Sequence, residues 1–254
     1  MVMLVVAALA APPAAEAQQP TNICRIGFLT AVPLSVMSAR TEAFRQGLRE
    51  MGYVEGKTIL IEWRSAEGQL ERLPSLAAEL VRLKVDVIVT AGPSATRPAK
   101  AATETIPIVM TSDNDPVANG FVASLARPGG NITGLSTLSA EIYGKQLELL
   151  KEVVPQLSRV AVLGDSAEPG HVQALRETEG AARTLRVQLQ YLDVRGANDI
   201  GTALRAARTG RVDAVLTLTS AVLFTHRKQV VNLAATSQLP VMHFGPGFRP
   251  AGGS

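Results

Sequence analysis

Two carboxylates separated by one residue are the chain's most obvious candidates for chemistry. Asp113 and Asp115 form an Asp-x-Asp pattern directly after an apolar run that is typical of a buried strand. Carboxylate oxygens at this spacing can hold a divalent cation, and metal-dependent glycosyltransferases use such a pattern on a sugar nucleotide. Asp115 also precedes Pro116, as a helix cap does. The pattern therefore leaves open a metal-dependent transferase and an ordinary structural turn.

A wider set of small polar residues follows the predicted strands at their carboxyl ends. In open parallel sheets, ligands bind at this edge. Backbone N–H groups at a helix start suit a carboxylate, whereas Asp115 or Asp165 suits an ammonium group. Each residue taken alone is equally an ordinary turn or cap residue, so the argument depends on the set recurring in both halves of the chain. The residues of this set are Thr30, Ser94, Ala95, Thr111, Asp115, Asp165 and Thr219.

Common fingerprints of catalysis and nucleotide binding are missing from the sequence. The chain contains no G-x-G-x-x-G, no G-x-x-x-x-G-K-[ST] and no G-x-S-x-G pattern. Its histidines, His171, His226 and His243, are isolated from one another, and Cys24 is the single cysteine. This spacing offers no His pair for a metal and no intrachain disulfide. We therefore predict no enzyme, no catalytic residue, no metal site and no cofactor.

Composition and the first residues indicate an exported protein that does not bind nucleic acid. The net charge is +3, the basic residues are scattered, and aromatic residues make up 4% of the 254 residues. Residues 1–11 are apolar, two prolines follow, and Ala15-Glu16-Ala17 is a cleavage pattern. Since the first basic residue is Arg25, an Ala-rich leader remains the alternative. We predict a signal peptide over 1–17.

Three strand-like segments occur twice, in the same order. Residues 25–30, 85–90 and 106–110 return at 159–164, 212–217 and 239–242, with offsets of 134, 127 and 133 residues. Strand and helix patterns alternate throughout, which is typical of parallel sheets covered by helices. The sequence thus predicts two tandem α/β lobes, 18–136 and 137–254, joined by a short hinge at 134–139, with a cleft between them for a small ligand.

Periodicity and turn residues give approximate bounds for the elements of both lobes. The predicted strands cover 25–30, 58–64, 85–91, 107–111, 132–136, 160–164, 188–194, 213–218 and 240–244. The predicted helices cover 39–51, 70–83, 93–102, 116–126, 140–154, 172–185, 200–207 and 223–235.

Four segments carry a resemblance to a known family. They are residues 43–56 (AFRQGLREMGYVEG), 73–80 (LPSLAAEL), 115–117 (DPV) and 125–134 (LARPGGNITG). In these segments the chain resembles the ABC-transporter substrate-binding protein family, the group related to tryptophan- and aromatic-amino-acid-binding periplasmic proteins. The likeness covers the chain from about residue 17 to 245, and the run 127–134 is rather specific.

The resemblance implies a fold, a role and a set of binding positions. The fold would be the type I periplasmic-binding architecture, with two Rossmann-like lobes. The protein would capture a small, amino-acid-like solute in the periplasm as a monomer, and would pass it to a permease driven by a cytoplasmic ATPase. The binding positions that the resemblance implies are Thr30, Ser94, Ala95, Thr111, Asp115, Ser136, Asp165 and Thr219.

Two departures from the family pattern accompany the resemblance. Members usually continue beyond the position of Ser254, so we expect a second lobe with fewer elements than the first. The sequence also shows no clear aromatic lid, so an aromatic ligand is not implied. Besides the transferase that uses Asp113 and Asp115, the alternatives are an exported ligand sensor of the same fold and a truncated, non-functional remnant.

Overall fold

The computed structural model describes residues 23–137 and 141–243. The predicted signal peptide at 1–17, and residues 138 and 139 of the predicted hinge, lie outside the described residues. Within the described residues the chain forms two sheets in which every paired strand runs parallel. We call the first sheet with its helices the N-terminal lobe, and the second sheet with its helices the C-terminal lobe. The exact boundary at 136/137 stays a prediction.

The N-terminal lobe is a five-stranded sheet in the order β2-β1-β3-β4-β5. Its strands are β1 (Cys24–Thr30), β2 (Ile59–Ser65), β3 (Val87–Ala91), β4 (Ile108–Asn114) and β5 (Ile132–Thr137). Its helices are α1 (Ser38–Glu50), α2 (Leu73–Arg82) and α3 (Pro93–Ala102), with a 3₁₀ turn at Leu70–Arg72 before α2. Cys24 is the first residue of β1, one residue before the predicted start of that strand.

The C-terminal lobe is a four-stranded sheet in the order β7-β6-β8-β9. Its strands are β6 (Arg159–Gly164), β7 (Gln188–Asp193), β8 (Ala214–Thr217) and β9 (Val241–Met242). Its helices are α4 (Glu141–Val153), α5 (His171–Leu185), α6 (Ala197–Thr209), α7 (Ala221–Thr225) and α8 (Arg227–Thr236). Since all strands of a parallel sheet end at the same edge, each sheet has one edge formed by the carboxyl ends of its strands. In open α/β folds, ligands bind at this edge.

Helices cover both faces of each sheet, because side chains alternate along a strand and both faces are apolar. Leu29 of β1 packs with Leu80 of α2 on one face. The neighbouring Phe28 packs on the other face against Phe44 of α1, with ring centroids 5.5 Å apart. Ala161 of β6 likewise packs in the core under α6 and α8. The residues on either side of Ala161 in β6 pack in the core under α4 and α5.

The predicted helix at 116–126 is wrong. Strand β4 continues to Asn114, and residues 115–131 form turns and bends. Asp115 has a φ of +75° and Gly120 a φ of +69°. Between these left-handed residues the chain forms hydrogen-bonded turns, in which Asn119 N donates to Asp115 O and Gly120 N donates to Val117 O. A helix cannot continue through such a residue, so the segment stays a loop.

Two further bounds differ from the sequence prediction. The predicted strand 107–111 extends by three residues, which places Asp113 inside β4. The predicted helix 223–235 is two helices, α7 and α8, which meet at His226. Among the described residues, no helix is both long and apolar enough to cross a membrane.

Candidate ligand-binding site between the two sheets

One hydrogen bond joins the two lobes at the carboxyl ends of their strands. Ser94, at the start of α3, donates from Oγ to Oε1 of Glu168 over 2.6 Å. Glu168 lies in the loop between β6 and α5, and its other oxygen accepts a longer, 3.4 Å bond from Ala221 N at the start of α7. The carboxyl group of Glu168 therefore sits among three elements that begin or end at the facing edges of the two sheets.

The loop that carries Glu168 lies directly on the N-terminal lobe. A Cβ atom added at Gly170 would be 3.2 Å from Asn119 Oδ1 and 3.5 Å from Asn114 O. Gly170 also has a φ of +79°, so both space and backbone conformation favour glycine there. The two lobes are thus in close contact around this loop.

Helix α7 supplies a second contact between the lobes. Ala221 and Phe224 pack against the apolar core on the α1 side of the N-terminal sheet. The guanidinium of Arg40 in α1 lies 4.6 Å from the centroid of the Phe224 ring. Burial, followed by the nearby charge of Arg227, lowers the pKa of Arg40. The facing surfaces of the two lobes therefore combine apolar contacts at Ala221 and Phe224 with the polar groups around Glu168.

Asp113, near the carboxyl end of β4, has a fully buried carboxyl group whose charge acts on Glu168. Its Oδ1 accepts a 3.0 Å hydrogen bond from Nδ2 of Asn119, but its Oδ2 has no hydrogen-bond partner within the described part of the chain. Burial raises the pKa of the Asp113 carboxyl to about 6; the bond from Asn119 opposes this rise, and the charge of Asp115 adds to it. A buried acceptor without a donor is unfavourable and marks a position where a ligand can supply one.

Glu168 is similarly removed from solvent, with 7% of its surface exposed. Burial raises the pKa of its carboxyl to about 7, the bonds from Ser94 and Ala221 oppose this, and the charges of Asp165 and Asp113 add to it. Two acidic groups, one from each lobe, therefore share a region of low dielectric constant.

Tyr143 of α4 supports the end of β8 beside this region. Its hydroxyl oxygen accepts a 3.1 Å hydrogen bond from Thr219 N, and burial raises the pKa of the phenol. Ser220, the next residue, caps α7 by accepting a bond from Leu223 N. A small cavity of about 30 Å³ opens here, between these residues and His243. That volume is about the space of one water molecule, and all of the residues that line the cavity belong to the C-terminal lobe.

A model of the ABC transporter substrate binding protein family matches residues 25–254. The chain belongs to this family. Its fold is the type I periplasmic-binding fold of two α/β lobes, as the resemblance implied. Among curated proteins, the tyrosine-binding protein of Clostridioides difficile strain R20291 is 26% identical over 217 residues. The match covers 85% of this chain and 62% of that protein, so the chain spans under two thirds of this relative's length.

Two solved structures show the same fold in different states. A Streptococcus pneumoniae ABC domain in complex with L-tryptophan has a TM-score of 0.81 at 24% identity, with 91% of this chain and 77% of that chain covered. The ligand-free, open structure of a Clostridium difficile substrate-binding protein has a TM-score of 0.57, also at 24% identity, with 87% and 74% covered. Both structures therefore show the fold that this chain shares.

Of the predicted binding residues, Ser94 and Asp165 belong to the region where the lobes of this substrate-binding protein meet. Ser94 donates directly to Glu168. Asp165, which is 1% exposed, accepts a 2.9 Å bond from Ala167 N, and burial raises its pKa. Thr111 donates its hydroxyl to Thr90 O, and Asp115 accepts a bond from Ala118 N in the turn after β4.

The other four predicted residues occupy different environments. The Thr30 hydroxyl is buried and accepts a bond from Val32 N within its own turn. Ala95 is a fully buried core residue. Ser136 is exposed and donates to Thr137 O, and Thr219 is exposed with its backbone N–H directed to Tyr143. A ligand role for these eight positions stays a prediction.

Within the described residues, Asp113 and Asp115 do not form part of a cluster of side chains arranged to bind a metal ion. Asp113 is hydrogen bonded to Asn119, and Asp115 caps a turn. Among residues 23–137 and 141–243, no group of three or more His, Cys, Asp or Glu side chains is arranged to hold a metal ion. His171 is buried instead against Tyr191, with ring centroids 5.1 Å apart.

Sequence reasoning missed Glu168. The candidate residues are the first few after each predicted strand, whereas Glu168 lies four residues beyond the end of β6. Asp113 falls among the polar residues that follow the predicted strand 107–111, and the structure places it inside β4. The sequence does contain a signal for Glu168. This acidic residue follows a buried strand, in a loop that ends with glycine and is otherwise rich in small residues.

Proposed function

We propose that this chain is the periplasmic solute-binding component of an ABC importer. It captures a small, amino-acid-like solute between its lobes and delivers it to an inner-membrane permease that a cytoplasmic ATPase drives. It acts as a monomer, and neither catalysis nor a cofactor is part of the proposal. The observation that carries the proposal is the hydrogen bond from Ser94 to Glu168, which joins polar groups of both lobes where their strands end.

Lobe closure is the proposed mechanism. A ligand favours the closed state only by binding it more tightly than the open one, and groups supplied by both lobes provide that difference. Ser94 and Glu168 come from opposite lobes and meet in the present arrangement. The higher TM-score to the tryptophan complex than to the ligand-free, open structure supports the same mechanism.

The solutes named for similar proteins suggest which classes of solute to test. The curated relative is named for tyrosine, and one structural neighbour holds L-tryptophan. Another neighbour, from Rhodopseudomonas palustris, holds 3,4-dihydroxybenzoic acid, at 18% identity. Amino acids and amine-free aromatic acids are therefore the two solute classes to compare for this chain.

The proposal is tested by thermal unfolding of the chain that begins at Gln18, in the presence of amino acids, short peptides, aromatic acids and small organic acids. A solute at 100 times its Kd stabilises the folded protein by about 2.7 kcal/mol, which raises Tm by about 5–10 °C. A shift for one solute class supports the proposal. A cooperative melt that no solute class moves contradicts it.

A further inference from the structure

The amino ends of three strands in the C-terminal lobe carry arginines. Arg159 is the first residue of β6. Arg186 lies two residues before β7, and Arg211 lies three residues before β8. Because β7, β6 and β8 are neighbours in a parallel sheet, these residues lie at one edge of it, opposite the edge formed by the carboxyl ends of the strands.

Hydrogen bonds of Arg159 connect the start of β7 with the turn before β8. Its Nε donates to Gln188 Oε1 over 3.1 Å, and its Nη1 donates to Gly210 O over 2.8 Å. A Cβ atom added at Gly210 would also contact the side chain of Gln190 in β7. The turns before β7 and β8 therefore lie beside Arg159 at this edge of the sheet.

Each of these two turns contributes a pair of arginines. Arg183 is in the last turn of α5, and its carbonyl oxygen accepts a hydrogen bond from Arg186 N. Arg208 is in the last turn of α6, and its carbonyl oxygen accepts one from Arg211 N. With the first residue of β6 they form a group that we call the arginine cluster: Arg159, Arg183, Arg186, Arg208 and Arg211.

The guanidinium groups of the arginine cluster are available to a partner outside the chain. All five residues are exposed, and apart from Arg159 their side chains form no hydrogen bond or ion pair with any described residue. The carboxylate of Asp213 beside them already accepts bonds from Ser158 N and Arg159 N. Lys151, which donates from Nζ to Leu157 O, adds a further positive charge. This edge of the C-terminal lobe therefore has an excess of positive charge.

The helix dipole explains only part of the arginine cluster. A cation in the last turn of a helix, such as Arg183 or Arg208, is favourable beside the negative end of the dipole. Arg159 lies on a strand instead. Arg186 and Arg211 have φ values of +55° and +52°, a conformation that glycine or asparagine adopts at lower cost. A structural role alone thus leaves three of the five arginines unexplained.

We propose that the arginine cluster is an electrostatic docking surface for the anionic phospholipid headgroups of the inner membrane. Guanidinium groups bind phosphate in a bidentate geometry, and a membrane surface presents many phosphates without requiring a complementary shape. The attractions of neighbouring basic residues to such a surface add together. The choice of the membrane rests on the proposed periplasmic location, but the docking surface itself goes beyond the proposed function. Binding at this edge leaves the carboxyl ends of the strands free for a solute.

Co-sedimentation with lipid vesicles tests the docking surface. The protein is the chain that begins at Gln18, so that the apolar residues 1–11 do not contribute. Vesicles of phosphatidylglycerol and phosphatidylcholine in equal parts provide the anionic surface, and vesicles of phosphatidylcholine alone are the neutral comparison. We expect binding to the anionic vesicles in about 50 mM salt and its loss in about 0.5 M salt, because salt screens exposed charges. The neutral vesicles should bind about tenfold or more weakly.

Two double variants with the same change in net charge separate the arginine cluster from the charge of the whole chain. Arg186→Glu with Arg211→Glu should weaken binding to the anionic vesicles by about tenfold or more. Lys57→Glu with Lys84→Glu changes exposed residues in the turns before β2 and β3, and Lys84 has a φ of +51°, close to that of Arg211. This matched control should bind as the unmodified protein does.

Three results would overturn the proposal. They are no binding to the anionic vesicles, equal losses in the two double variants, and binding of a polyglutamate peptide by the same arginines without binding of vesicles. The last result would identify an acidic polypeptide as the partner. If the Arg186→Glu and Arg211→Glu variant does not melt cooperatively, Arg186→Gln with Arg211→Gln replaces it, with a loss of several-fold expected. The shift in Tm caused by a solute is measured without vesicles, so failure of the docking surface leaves the proposed function intact.

Discussion

Ser94 Oγ and Glu168 Oε1 lie 2.6 Å apart, although 74 residues separate them in the chain. One belongs to the helix that follows β3 and the other to the loop that follows β6, so the bond links equivalent edges of two sheets. Its acceptor is a carboxyl with little solvent exposure, which makes the bond stronger than one at the surface. This contact and its surroundings support three predictions.

Replacing Ser94 with alanine should weaken the closed arrangement. The change removes the shorter of the two hydrogen bonds to Glu168 and leaves the 3.4 Å bond from Ala221. Loss of a bond to a buried charged group costs about 1–3 kcal/mol, which should lower the free energy of unfolding measured in urea by that amount. Ser75→Ala, which removes an exposed hydroxyl bonded to Arg72 O, is the matched control. Equal losses in the two variants would refute the structural role of Ser94.

Glu168 should make stability depend on pH between about 4 and 7. Its pKa of about 7 in the folded protein exceeds the value of about 4.3 expected in an unfolded chain. The folded state therefore binds more protons in this window, and the free energy of unfolding falls as pH rises through it. Burial keeps the proton on Glu168 favourable and the charges of Asp165 and Asp113 add to this, whereas the hydrogen bonds from Ser94 and Ala221 act against it.

Glu168→Gln removes this titration while preserving the shape of the side chain. From pH 5 to pH 8, the variant should gain stability relative to the unmodified protein, by up to about 3 kcal/mol. Urea unfolding at pH 5, 6, 7 and 8 measures the difference, and Glu104→Gln should follow the unmodified protein at each pH. Parallel profiles for Glu168→Gln and the unmodified protein would show that Glu168 does not titrate in this range.

We expect that any side chain introduced at Gly134 destabilises the protein. It lies in β5 opposite Met110 of β4, with a φ of +142°, and a Cβ atom there would overlap the backbone of Met110. Gly134→Ala should therefore lower the free energy of unfolding by about 2 kcal/mol or more.

Gly130 in the preceding turn is the matched control for that change. A Cβ atom there meets nothing within 4 Å, and Gly130→Ala should leave stability nearly unchanged. Thermal melts of both variants provide the comparison. An unaltered Tm for Gly134→Ala would mean that β4 and β5 can separate at this point without loss.

The local pattern of apolar and turn residues was sufficient to predict most helices and strands of the fold. Buried strands such as 160–164 are runs of apolar residues bounded by turns, and the helix at 39–51 differs from α1 by one residue at each end. The helix predicted at 116–126 does not form because the chain is left-handed at Asp115 and again at Gly120, which composition does not reveal. Two sheets were predictable because the repeat preserves the order of its strand patterns.

The sequence by itself determined which strands form two parallel sheets and which edge of each sheet carries the polar residues that follow its strands, because both follow from hydrophobic runs and chain order. Tertiary structure alone decided which side chains at that edge are available. The Thr30 hydroxyl is used within its own turn and Ala95 joins the core, whereas Ser94 and Glu168 meet from opposite lobes. Burial and pairing depend on contacts between residues distant in the chain, and no local pattern encodes those contacts.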